Sequence, residues 1–107
     1  MKSAPDRILV TRTDRIGDVI LSTPALLDLR AAFPRAELIL LAREPLRSLF
    51  IKHPAVDRFL TYEPTERHAG FSGLRALARE FQALRFDLAI SLWSDPRVAW
   101  ALRWAQV

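Results

Sequence analysis

Cysteine is absent from this chain, which excludes disulfide frameworks and thiolate metal sites and fits a reducing compartment. Histidine is scarce, and His53 and His68 are too few to build a zinc site. Glycine is scarce too. Only Gly17 falls at the first turn, where a dinucleotide-binding fold wants three glycines to let a pyrophosphate approach the backbone. The Gly-Lys-Ser/Thr of a P-loop and the Gly-x-Ser-x-Gly of a serine hydrolase elbow are also missing. No apolar run approaches the ~20 residues of a membrane span. Lys2 is followed by Pro5 and Asp6 rather than by an apolar stretch, so the start does not read as a signal peptide. Lysine occurs only at Lys2 and Lys52, and the net charge of +4 is therefore carried by arginine. Guanidinium groups suit phosphates and carboxylates, which points to an anionic partner. The arginines are scattered and not interleaved with aromatics, which argues against nucleic acid.

What is present is half apolar in 107 residues, enough for one folded domain, 1–107, with a core of its own. The organising stretch is Arg7 to Leu29. Ile8-Leu9-Val10-Thr11 is too short and too β-branched for a helix and reads as a strand buried on both faces. A polar turn, Thr13 to Asp18, then opens a helix on which Val19, Ile20, Ala25, Leu26, Leu29 and Phe33 recur at helical spacing. Asp28, Arg30 and Arg35 fall on its wet side. Ser22 and Thr23 precede Pro24 as a cap-like pair, so the helix restarts or kinks there.

The unit repeats. Glu37–Ala42 is a second buried strand, and Pro45 opens a short helix with Leu46, Leu49, Phe50 and Ile51 inward. Arg58–Tyr62 is a less apolar third strand suited to a sheet edge. Glu63–Gly70 is the most polar loop and the expected seat of mobility, with His68 as a loop histidine and His53 at a helix end. Ser72 is positioned to cap a helix striped by Leu74, Leu77, Ala78, Phe81 and Leu84. Asp87–Leu92 is the fourth strand. The last helix starts at Pro96, carries Val98, Trp100, Ala101, Leu102 and Trp104, and shows no capping residue. Trp100 and Trp104, four apart, share a face suited to core or domain-interface packing. Strands alternating with helices predict an α/β fold, a three-layer Rossmann-like parallel sheet in the order 3-2-1-4.

In such a sheet, ligands bind at the carboxyl ends of the strands. Gly17 and Asp18 stand there beside Arg12 and Arg15. Asp18 either caps the helix and complements its dipole or serves as a general base. Arg12, Arg15, Arg43 and Arg97 fall near the same rim, either as solvated charges or as an anion-binding set.

RILVTRTDRIGDVILSTPALLDLRAAFP resembles the opening of glycosyltransferase family 9, the heptosyltransferases of lipopolysaccharide core assembly and their relatives. The core of the likeness is Gly-Asp-x-x-x-x-Thr-Pro-Ala. ELILLA, HPAVDRFLTY and FDLAISLWSDPRVAWAL agree with later segments of that family. The resemblance implies the N-terminal, acceptor-binding half of a two-domain GT-B enzyme whose C-terminal donor-binding half is absent. It implies Asp18 as the base that deprotonates an acceptor hydroxyl, which attacks the anomeric carbon of a nucleotide-linked sugar, typically ADP-heptose, with inversion. Arg12, Thr13, Asp14, Arg15, Gly17, Ser94 and Arg97 are the implied acceptor-binding residues. No metal and no cofactor beyond the nucleotide-sugar co-substrate is required. The implied acceptor is an anionic glycolipid of the lipopolysaccharide core, met in the cytoplasm at the inner face of the inner membrane by a peripherally associated protein. Asp14 and Arg15 replace the small residues of many relatives, and Trp93-Ser94-Asp95 replaces a Gln-Gly-like pair. Two other readings stand beside this one: a non-catalytic module binding an anionic glycolipid or nucleotide, and an inactive truncated remnant.

Overall fold

The computed structural model describes residues 6–13, 23–92 and 95–105. The apolar run at the start forms strand β1 (Arg7–Thr11), in which Ile8, Leu9 and Val10 are wholly buried. Strand β2 (Glu37–Ala42) is buried from Leu38 onward. With β3 (Arg58–Thr61) and β4 (Leu88–Ser91) they make one parallel sheet in the order β3-β2-β1-β4, as the sequence pattern predicts. Ile8 pairs with Leu38 on one side and with Leu88 on the other. Central strands enclosed this way cannot alternate polar and apolar residues, which is why their sequences read as continuous apolar runs.

The pleat divides the core in two. Ile8, Val10, Leu38, Leu40 and Phe59 face one layer, closed by Leu26 of helix α1 (Thr23–Ala32) and by Leu46 and Phe50 at helix α2 (Arg47–Phe50). Leu9, Ile39 and Leu41 face the other, closed by helices α3 (Gly70–Leu84) and α4 (Pro96–Trp104) through Leu77, Phe81, Val98 and Ala101. Each of the larger of these side chains contributes about 1.5–3 kcal/mol by leaving water. At the amino ends of the strands two carboxylates do the work of capping. Asp87 Oδ2 accepts from the backbone N–H of Asp6 and Arg7 at 2.7 and 3.0 Å, and Asp57 Oδ2 accepts from Leu38 N–H at 2.8 Å. No described helix is long and apolar enough to cross a membrane.

Several local expectations are corrected. Leu49 and Ile51 are exposed, because α2 is a single turn that presents only Phe50 to the core, with Leu46 contributed by the 3-10 turn Glu44–Leu46 before it. Ser72 does not cap α3. The helix begins at Gly70 after Ala69, where the chain lies so close to itself that a Cβ on Gly73 would sit 2.1 Å from the His68 carbonyl carbon. Arg30 is not simply solvated, since it donates to the carbonyl oxygen of Ala36 at 2.7 Å and pairs with Asp57. Helix α4 does have a cap, Asp95, discussed below. The strands β3 and β4 stop one residue short of the expected limits, at Thr61 and at Leu88–Ser91.

The polar loop Glu63–Gly70 is built on a buried histidine rather than left open. His68 has no exposed surface, and its Nδ1 accepts the Glu63 N–H at 2.9 Å. With that lone pair engaged, Nε2 carries the proton and donates to Glu80 Oε2 at 2.6 Å. Arg67 ties the loop further, pairing with Glu63 at 3.1 Å and Glu80 at 2.9 Å and donating to the Thr61 carbonyl at 2.9 Å. Val19, Ile20 and Ser22, the expected start of the first helix, lie outside the described residues.

Candidate active site

Parallel strands deliver their carboxyl ends to one rim, and β1 and β4 are neighbours there. Thr11 Oγ1 donates to Ser91 Oγ at 3.0 Å, holding the two strand ends level. One residue further, the Arg12 guanidinium donates to the Leu92 carbonyl, while Arg12 N–H continues the ladder to the Leu41 carbonyl at 3.1 Å. Thr13 is buried, and its hydroxyl donates to Asp95 Oδ2 at 2.9 Å. The other oxygen of Asp95 accepts from the N–H of Arg97 at 3.0 Å and lies 3.5 Å from that of Val98, capping α4. Pro96 follows at the first helical position, where its missing N–H is no loss.

Two more arginines brace the same rim. Arg97 reaches the loop before α3 and donates to the Gly70 carbonyl at 2.9 Å and to that of His68. Arg43, at the end of β2, donates from Nε to the Thr13 carbonyl at 3.3 Å and lies over the Tyr62 ring, 6.0 Å from its centre. The rim arginines therefore bind backbone carbonyls of adjacent turns, which fixes the turns relative to one another. Tyr62 is buried and stacked on His68 with ring centres 5.7 Å apart. Burial pushes the Tyr62 phenol up from its ordinary pKa and the Asp95 carboxylate adds to this, with Arg97 and Arg43 opposing.

Between the ends of β2 and β3 lies a cleft of about 160 Å³, lined by Arg43, Glu44, Tyr62, Glu63, Thr65 and Glu66 among others. Thr61 Oγ1 donates to Glu44 Oε2 at 2.7 Å, and this bond, aided by Arg47, holds the Glu44 carboxyl below the usual carboxylate range. Three carboxylates and one guanidinium make a lining better matched to hydroxyl groups than to phosphate. Among the described residues no cluster of His, Asp or Glu could hold a metal ion.

Of the residues singled out in the sequence, Arg12, Thr13 and Arg97 come together on this rim. Asp14, Arg15, Gly17, Asp18 and Ser94 lie outside the described residues. Sequence reasoning missed Asp95 and Tyr62. The signal for Asp95 was available, since an aspartate immediately before a helix-opening proline is a capping pattern. Tyr62 gave none, because its stacking on His68 depends on how the loop between them folds back.

No family model matches the chain. A protein of Haemophilus influenzae named "Putative glycosyltransferase" is 28% identical over 115 aligned positions, taking in 95% of this chain and 32% of that protein. A crystal structure of a glycosyl transferase family 9 protein from Veillonella parvula superposes with a TM-score of 0.84 at 33% identity, over 92% of this chain and 29% of that one. The chain thus spans about a third of the length of each of these relatives. In sequence and in fold, this chain is similar to part of a glycosyltransferase family 9 protein.

Proposed function

We propose that this chain is the acceptor-binding half of an inverting glycosyltransferase, with Asp18 as the general base. The observation that carries the reading is the likeness to a family 9 structure, at 33% identity and a TM-score of 0.84 over 92% of this chain. The rim gives it a physical basis. Thr13, five residues before Asp18 in the sequence, is held by Asp95 through its hydroxyl and by Arg43 through its carbonyl. An alcohol is a weak nucleophile, and a positioned carboxylate that takes its proton as positive charge develops on the sugar is the chemistry required. The donor is a nucleotide sugar, for which ADP-heptose is the choice, and it is bound by a second domain. The acceptor is an anionic glycolipid of the lipopolysaccharide core type, presented at the cytoplasmic face of a membrane. In this reading Arg12, Arg15 and Arg97 meet its acidic groups, Asp14, Gly17 and Ser94 contact it beside them, and the cleft at Arg43 and Glu66 receives its sugar hydroxyls.

Calorimetric titration of this chain tests the division of labour. Binding of a lipopolysaccharide core fragment with no response to ADP is the expected result. Binding of ADP without the core fragment would assign this half to the donor and overturn the proposal.

A further inference from the structure

Helices α3 and α4 pack side by side and carry on their outer surface three aromatic rings that the fold leaves open. Phe71, Trp100 and Trp104 are 65%, 37% and 39% exposed. The rings touch one another. The Trp100 and Trp104 centres are 4.4 Å apart and edge-on, and Phe71 lies 5.8 Å from the first and 6.2 Å from the second. Together they form one exposed aromatic cluster, and a cluster of this kind marks a contact surface.

Charge says which contact. Arg75 places its guanidinium 5.6 Å from the Trp104 ring centre, and Arg103 with Trp100 and Trp104 borders an open hollow of about 480 Å³. Helix α4 carries no acidic residue, and α3 carries only Glu80, which is turned away to His68 and Arg67. Aromatic rings flanked by Arg75 and Arg103, on helices whose one carboxylate is turned away, match the headgroup layer of an anionic bilayer, where indole rings settle and guanidinium groups meet lipid phosphates.

We propose that Phe71, Trp100 and Trp104, with Arg75 and Arg103, form a docking surface for an anionic lipid bilayer. The membrane setting is shared with the function proposed above, but the test needs no sugar transfer, so each can fail without the other. The protein, in the full length its source gene encodes and with Trp93→Phe to silence the third tryptophan, is mixed with vesicles of phosphatidylcholine alone or with phosphatidylglycerol added. Expected are co-sedimentation with the phosphatidylglycerol vesicles only, a blue shift of Trp emission, and weakening by salt. Arg75→Gln and Arg103→Gln each weaken partitioning about fivefold, and Phe71→Ser with Trp104→Ser abolishes it while circular dichroism stays unchanged. Three results would each overturn the proposal: equal or absent binding to both vesicle types, tryptophans already shielded from acrylamide without lipid, and a dimer that Trp104→Ser dissociates.

Discussion

Thr13 and Asp95 are separated by 82 positions in the sequence and by 2.9 Å in space. Through them the turn after β1 is fastened to the helix after β4. The link stays within one sheet rim only because β1 and β4 are adjacent and parallel.

Removing that link has a definite energetic signature. Asp95→Ala takes away the α4 cap and the acceptor for Thr13, and is expected to lower stability by about 2 kcal/mol. Thr13→Val should lower it by about 1 kcal/mol, and the double variant should fall short of the sum because both changes break one bond. Urea unfolding with tryptophan emission reads all three. Strict additivity would show that the bond contributes nothing in solution.

Gly73 has no freedom to gain a side chain. A Cβ there meets the His68 backbone at 2.1 to 2.6 Å, and backbone cannot yield as a flexible side-chain end can. Gly73→Ala is therefore expected to destabilise by about 2–3 kcal/mol despite the better helix propensity of alanine. A neutral or stabilising change in urea unfolding would contradict the packing between α3 and the loop before it.

Helix α3 ends on a left-handed residue that is not glycine. Arg85 has φ 53° and ψ 44°, a conformation in which a Cβ costs about 1 kcal/mol. Arg85→Gly should raise the thermal midpoint by a few degrees in calorimetry. A fall would mean that the arginine side chain contributes more than the strain removes.

The strands, their order and the two-sided core were legible because buried parallel strands write themselves as apolar runs between turns. Leu26, Leu77 and Phe81 could be placed inward from helical spacing alone. What could not be read was how side chains meet once loops and helices fold back on one another. The environment of His68 depends on Glu63, Glu80 and Tyr62 meeting across three segments, and no local pattern encodes that. At the site, Arg12 and Arg97 were recognisable as rim residues, yet their carbonyl partners in other turns were not.

Tyr62 is the single tyrosine of the chain, so its ionisation can be followed alone by ultraviolet absorbance. Its native midpoint should lie above the ordinary value of about 10, return to it in denaturant, and fall in Asp95→Asn. The sign for stability follows by linkage. A phenol whose pKa is raised by folding contributes stability that is fully present below the unfolded value and is lost as pH rises through the folded one. A native midpoint at or below 10 would contradict the burial of the phenol beside Asp95.

The central claim is that a carboxylate on the first turn removes the acceptor proton, and sugar transfer by the protein in the full length its source gene encodes tests it most directly. With ADP-heptose and a lipopolysaccharide core acceptor, Asp18→Asn should lower kcat by about 10²–10⁴-fold with the acceptor KM and the circular dichroism spectrum little changed. Turnover by Asp18→Asn within a few-fold of the unaltered protein would contradict the account.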